Sequence, residues 1–98
     1  MVIYDKVTWH IDGGENKANV IARFTEVFSF LKEKNLLSEE GKEFFEYGID
    51  ESTSLNSEML NSKGERFFEK YYDKIIALNP EKIRSNLIEA YIDFKENF

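Results

Sequence analysis

The sequence has no cysteine and only one histidine and one proline among its 98 residues. Without cysteine there is no disulfide framework, no thiolate zinc site and no cysteine nucleophile, and a single histidine excludes a histidine-rich metal site. No apolar run approaches the roughly 20 residues that cross a bilayer, and the segment after Met1 lacks the basic and apolar stretches of a signal peptide. We therefore expect a cytoplasmic protein with no metal, no cofactor and no membrane partner.

Aromatic side chains are abundant instead, because the chain has nine Phe, five Tyr and one Trp. Each buries a large area, so a compact core is feasible at this length, whereas a second core would have too few residues. We expect a single domain that spans residues 1–98.

Apolar residues that recur every three or four positions predict four amphipathic helices. These cover residues 15–34, residues 39–47, a segment from 61 or 62 to Asn79-Pro80, and residues 80–96. The expected end signals are Asn35, Ser38, Gly48, a capping box over residues 62–65, and Asn79 before Pro80. The expected core side chains are Phe24, Phe28, Phe67, Tyr71, Ile75, Leu87 and Tyr91, with Ile76 and Phe98 as further inward-facing residues. Arg23 is expected on the polar face of the first of these helices.

The N-terminal segment allows two interpretations. Val7, Trp9 and Ile11 alternate with polar residues, which is the period of a half-buried strand, yet no partner strand is evident and residues 49–57 have the composition of a polar loop. Alternatively, Asp5 caps one helical turn that ends at Gly13-Gly14. We favour a short irregular segment or single turn that inserts Trp9 into the core. The predicted fold is then a compact, all-α or nearly all-α bundle of about four helices, with under about a tenth of the residues in strands.

Two segments of the chain share one pattern. Residues 36–46 and 59–69 both have two apolar residues, a capping residue, two polar residues, a glycine, two polar residues and then Phe-Phe-Glu. A duplicated binding unit is one interpretation. The favoured one is structural: two helices begin in the same way, and each glycine allows close packing.

His10 is the one residue that could act as a general base at neutral pH. With Trp9 and Asp12 beside it, it is the candidate for a pocket in which a carboxylate orients the imidazole. A structural role for this histidine is the favoured alternative, because no nucleophile of known geometry accompanies it. We assign no catalytic residue. The oxygen-rich loop that starts at Asp50 fails the EF-hand template, which needs glycine at position six, where Leu55 stands.

The net charge of −6 is concentrated in one fifth of the chain. Residues 39–58 hold seven acids and one base, whereas the remainder holds twelve of each and is neutral. A dense patch of one sign attracts a partner of the opposite sign. We therefore predict that this segment binds a basic protein. The alternative is a solvated acidic face without a partner, because an acidic protein carries its charge somewhere and Glu39 and Glu40 already favour the start of a helix. The candidate interaction residues are Glu39, Glu40, Glu43, Asp50 and Glu51.

The acidic balance also argues against nucleic-acid binding, because phosphate backbones repel such a chain unless it has a basic patch. The densest basic cluster consists of Lys63, Arg66, Lys70 and Lys74. Acids alternate with these residues at helical spacing, which predicts ion pairs on a solvated helix face and no basic patch.

The N-terminal Tyr4-Asp5, the following Trp9-His10 and the later Leu36-Leu37-Ser38 resemble an uncharacterised family of small bacterial proteins with a Y-D-x-x-x-W-H motif. The chain departs from that family's expected proline-containing acidic loop at residues 11–15. Some relatives resemble the immunity proteins found beside bacterial toxins, so the resemblance implies a non-catalytic, immunity-like protein-binding module. Two alternatives remain: a small hydrolase-like enzyme that uses His10 and nearby carboxylates, and a homo-oligomeric structural protein.

Overall fold

The computed structural model describes residues 1–75 and 80–97. In chain order the elements are β1 (Ile3–Lys6), α1 (Val7–Asp12), α2 (Lys17–Glu33), α3 (Glu39–Tyr47), β2 (Ser54–Asn56), a 3₁₀ turn (Ser57–Met59), α4 (Ser62–Ile75) and α5 (Pro80–Glu96). The expectation of a nearly all-α fold is confirmed, with a fifth, short helix near the N-terminus. None of the helices in the described ranges has the length and apolar content needed to span a membrane.

The N-terminal segment differs from both sequence interpretations. The strand lies earlier than the alternation predicted, at β1, and it pairs antiparallel with β2, with Ile3 opposite Asn56 and Lys6 opposite Ser54. The alternating residues form helix α1, which ends at Gly13 as the rival interpretation expected. The N-cap residue of α1 is Lys6 and not Asp5, which that interpretation expected, and the Lys6 side chain forms no capping hydrogen bond. The expectation that residues 49–57 form only a polar loop is therefore wrong, since this segment contains β2 and buries Leu55.

The predicted helices begin and end close to their expected positions because the capping side chains act locally. Helix α2 begins at Lys17, two residues later than predicted, and Asn16 caps it by accepting a hydrogen bond from the Asn19 backbone N–H. Ser38 accepts from the Gly41 N–H at the start of α3. The expected capping box at residues 62–65 is wrong: Asn61 caps α4 by accepting from the Gly64 N–H at 2.9 Å.

The core lies among α2, α4 and α5 and is closed by β1, β2 and the segment around Leu36. The predicted core residues Phe24, Phe28, Phe67, Tyr71, Ile75 and Leu87 are buried, and Tyr91 is half-buried. Phe67 is fully enclosed and contacts Tyr91 and Phe94, so α4 faces inward as predicted. Ile76, Asn79 and Phe98, which were predicted to have core or capping roles, lie outside the described residues.

The repeated pattern is structural, as favoured, and the two segments pack on each other with reciprocal contacts. The Ser38 N–H donates to the Met59 carbonyl, and the Asn61 N–H donates to the Leu36 carbonyl. The two glycines make reciprocal close contacts with the same carbonyl groups. A Cβ on Gly41 would lie 2.1 Å from the Met59 oxygen, and one on Gly64 would lie 2.3 Å from the Leu36 oxygen. Each segment therefore begins a helix whose first-turn glycine lets the other segment's backbone approach.

Candidate functional site

His10 lies at the centre of a network of polar side chains contributed by β1, α1, α2, α4 and the α1–α2 turn. Its Nε2 lies 2.8 Å from both carboxylate oxygens of Asp5, and its Nδ1 lies 2.7 Å from Oε2 of Glu15. The other Glu15 oxygen accepts from the Arg23 guanidinium at 2.6 Å, and the Tyr72 hydroxyl donates to Asp5 at 2.6 Å. Asp5, Arg23 and Tyr72 are buried, so the network joins the N-terminal segment to the helical core.

The local fold explains why two acids flank one histidine. Asp5 precedes helix α1 and Glu15 follows it, each five residues from His10. Gly14 adopts a φ of +95°, a conformation that favours glycine, and the Glu15 N–H then donates to the His10 carbonyl at 3.1 Å. This turn folds the chain back, so Glu15 reaches one ring nitrogen while Asp5 reaches the other.

The surroundings of His10 favour its protonated form. Burial lowers the pKa of the His10 ring, but the hydrogen bonds to Asp5 and Glu15 and the charge of Asp5 outweigh it, so the pKa is raised above its ordinary value. A carboxylate at each nitrogen requires both nitrogens to donate, which only the imidazolium does. Burial, together with the neighbouring Asp5 carboxylate, also raises the pKa of the Tyr72 hydroxyl, so Tyr72 remains a proton donor to Asp5.

Beside the network is a small cavity between α2, α4 and α5, with apolar walls that include Val27, Ile75 and Ile83. Its interior volume is about 20 Å³, which is enough for a water molecule and too little for an organic substrate. In addition, each nitrogen of His10 lies against a carboxylate of the same chain, whereas a general base needs a nitrogen that is free to accept a proton from the substrate. The arrangement is suited to holding four elements together by charge.

The structure does not assemble the predicted pocket of Trp9, His10 and Asp12. In helix α1, the residues that face inward are Val7, His10 and Ile11, which share one face at spacings of three and four. Trp9 lies on the outer side with 52% of its surface exposed, so the expectation that it inserts into the core is wrong. Asp12 is also exposed and does not contact His10.

Sequence reasoning missed four members of the network: Asp5 as a partner of His10, Glu15, Arg23 and Tyr72. Arg23 was expected on the polar face of its helix, but it is only 3% exposed. The equal spacing of Asp5 and Glu15 about His10 is a signal that could have suggested the two flanking carboxylates. Nothing in the sequence connects Tyr72 to Asp5, because the contact spans 67 residues.

The predicted interaction residues are all exposed, with Glu39, Glu40 and Glu43 on the outer side of α3 and Asp50 and Glu51 in the loop that follows it. We call this surface the acidic face; it comprises Glu39, Glu40, Glu43, Glu46, Asp50 and Glu51, all of them exposed. The inner side of α3 packs Phe44 and Phe45 toward Phe28, so the acids are directed to solvent by helical spacing. Tyr47, at the end of α3, is 93% exposed and lies within this acidic segment.

The acids of this face differ in what they already bind. Glu39 pairs with Lys42 at 3.3 Å, and Glu51 pairs with Lys17 at 3.2 Å. Asp50 accepts from the Ser52 hydroxyl and backbone N–H, and these hydrogen bonds lower the pKa of its carboxyl group. Among the described residues, Glu40, Glu43 and Glu46 form no ion pair. These three are therefore the carboxylates of α3 most available to a partner.

Within residues 1–75 and 80–97, no group of three or more side chains is positioned to hold a metal ion. Comparisons of the chain with protein-family models, curated proteins and solved structures found no match.

Proposed function

We propose that this protein is a non-catalytic protein-binding module, of the immunity-like kind that the sequence resemblance implies, and that its acidic face recognises a basic partner protein. The observation that carries the proposal is the position of Tyr47, almost fully exposed at the end of the helix that presents Glu40, Glu43 and Glu46. The cytoplasmic location expected from the sequence belongs to the same proposal.

Tyrosine has a large, rigid side chain with a polar end, and exposed aromatic residues are enriched among those that dominate binding energy at protein interfaces. A solvent-exposed Tyr47 gains nothing from the protein's own core, whereas it could bury most of its ring against a partner. The surrounding carboxylates raise the encounter rate with a basic surface and orient it. Recognition of a basic partner accounts for both features.

The geometry of His10 supports the non-catalytic part of the proposal. Both ring nitrogens bind carboxylates of the same chain, and the adjoining cavity has room only for water. A hydrolase that used His10 as a base would need a free nitrogen within reach of a substrate.

A photo-crosslinking amino acid at position 47 tests the proposal in cells that produce this protein. The control carries the same group at Ile92, which is 55% exposed on α5. We expect position 47 to crosslink one basic protein, in amounts that fall when the salt concentration is raised before irradiation. Equal crosslinking from position 92, or an acidic protein as the product, would contradict the proposal. A product with twice the mass of this chain would favour the homo-oligomeric alternative.

A further inference from the structure

The structure brings together three lysines that are far apart in the sequence. The ammonium groups of Lys34, Lys63 and Lys95 lie 5.5, 5.8 and 5.8 Å from the ring centroid of Tyr91. No two of them can be farther apart than about twice that distance. Lys34 lies at the end of α2, Lys63 in the first turn of α4 and Lys95 in the last turn of α5, so three helix ends meet here. We call this group the lysine cluster.

The lysine cluster is not neutralised by the described part of the chain. None of the three ammonium groups forms an ion pair with a described carboxylate, and all three side chains are exposed. Two of the acids near these lysines in the sequence are engaged elsewhere: Glu33 pairs with Arg84 at 2.9 Å, and Asp93 accepts from Tyr71 and Asn97. Glu65 and Glu96 are also near in sequence, and neither forms an ion pair with a lysine of the cluster. The interaction of each cation with the Tyr91 ring is favourable, but it leaves all three positive charges in place.

The start of α4 adds to the positive potential at this position. The Asn61 side-chain oxygen accepts a hydrogen bond from the Gly64 N–H, and the Asn61 backbone carbonyl accepts one from the Glu65 N–H. The N–H groups of Ser62 and Lys63 therefore have no partner within the helix. The helix dipole places partial positive charge at this end of α4 and partial negative charge at the C-terminal ends of α2 and α5, so the lysines supply the net positive charge here. Three mobile cations and a helix start with free N–H groups form an arrangement suited to an anion with several oxygens.

We propose that the lysine cluster binds a phosphate group, either free inorganic phosphate or the phosphate of a small phosphorylated molecule. Lysine binds phosphate as a point charge at the end of a flexible stem, so three lysines around one ring can converge on a single group. The cluster is too small to follow a nucleic-acid backbone, and the net charge of −6 repels a long polyanion. The site does not depend on the acidic face, so it extends the function proposed above.

The sequence alone predicted no basic patch, and it placed Lys63 and Lys74 in ion pairs along their own helix. The structure corrects this, because Lys63 lies over Tyr91 and Lys74 lies over Tyr71, and neither pairs with a described acid. The contacts of the cluster span the ends of three helices, and periodicity within one helix does not detect them.

Amide chemical shifts in nitrogen-15-labelled protein test the proposal, with inorganic phosphate and glycerol 2-phosphate as probes and sodium chloride at equal ionic strength as the reference. We expect saturable shifts at Lys34, Ser62, Lys63 and Lys95 with at least one probe, and little change with chloride. Saturation with both probes would show that the phosphate group alone is recognised, whereas a preference for the ester would identify a phosphorylated molecule.

The variant Lys34→Gln, Lys63→Gln, Lys95→Gln should bind about tenfold more weakly or worse, since even one lost charged hydrogen bond has roughly that effect. The matched control Lys6→Gln, Lys32→Gln, Lys74→Gln removes the same charge from ammonium groups that lie over three different rings. Circular dichroism checks folding, and Lys63→Gln alone provides a milder variant. Shifts that do not saturate, equal shifts with chloride, or equal weakening in the control would overturn the proposal.

Discussion

Replacing Asp5 with Asn exchanges one carboxylate oxygen for an NH₂ group. This substitution should destabilise the protein more than any other substitution in the His10 network that changes one polar atom. Asp5 is 6% exposed and accepts from three donors: His10 at both oxygens, the Tyr72 hydroxyl, and the Lys6 backbone N–H at 2.8 Å. Asparagine offers one acceptor oxygen, and its NH₂ group would face one of these donors. It also removes the charge that faces the imidazolium.

The expected loss follows from the burial of the two partners. Breaking a fully buried ion pair costs about 3–5 kcal/mol, and the His10 side chain is 20% exposed, so we expect about 2–3 kcal/mol for Asp5→Asn. Urea denaturation followed by circular dichroism measures this free energy of unfolding. Asp12→Asn is the matched control, because Asp12 is exposed on helix α1, which carries His10, and it should change stability by under about 0.5 kcal/mol.

The same network predicts how stability depends on pH. Because the pKa of His10 is raised in the folded protein, its stabilising contribution is fully present below about pH 6.5 and is lost as the pH rises through the folded-state pKa. The unfolding free energy of the wild type should therefore fall across this interval relative to that of His10→Gln. Parallel pH profiles for the two proteins, or a loss under about 1 kcal/mol for Asp5→Asn, would refute this reasoning.

Three further predictions concern the fold. Phe67→Ala should lower the free energy of unfolding by about 3–5 kcal/mol, because Phe67 is fully buried; a loss under about 1 kcal/mol would mean that α4 does not face the core. Gly64→Ala should destabilise by about 1–3 kcal/mol although alanine favours helices, because its Cβ would meet the Leu36 carbonyl at 2.3 Å; a stabilised variant would contradict the close contact. The fluorescence of Trp9, the one tryptophan, should be readily quenched by acrylamide in the native state, because 52% of its surface is exposed. Strong protection from quenching would mean that Trp9 is buried in the core, as the sequence analysis predicted.

Local signals explain which parts of the fold could be predicted. Helix α3 has the predicted bounds, because Ser38 caps it and Gly48, with a φ of +101°, ends it. Asn35 ends α2 with a φ of +57°, the left-handed conformation expected of it. The repeated pattern identified two equivalent helix starts, and their glycines make the close contacts that the structural interpretation required.

The missed features depend on contacts between distant residues. The strand β2 has only three residues and becomes a strand by pairing with β1 across about half the chain, so no local alternation reveals it. The prediction that Trp9 inserts into the core was wrong because helix α1 directs Val7, His10 and Ile11 inward and Trp9 lies off that face. The lysine cluster and the contact of Tyr72 with Asp5 arise only when separate helices pack together.

The most direct test of protein binding through the acidic face is the association rate with the crosslinked partner, measured at low and high salt by stopped flow. The variant Glu40→Gln, Glu43→Gln, Glu46→Gln removes the unpaired acids of α3, and Glu81→Gln, Glu89→Gln, Glu96→Gln removes the same charge from exposed positions on α5. We expect only the α3 variant to associate about tenfold more slowly at low salt, and we expect high salt to abolish the difference. Equal rates for wild type and the α3 variant at low salt would contradict this expectation.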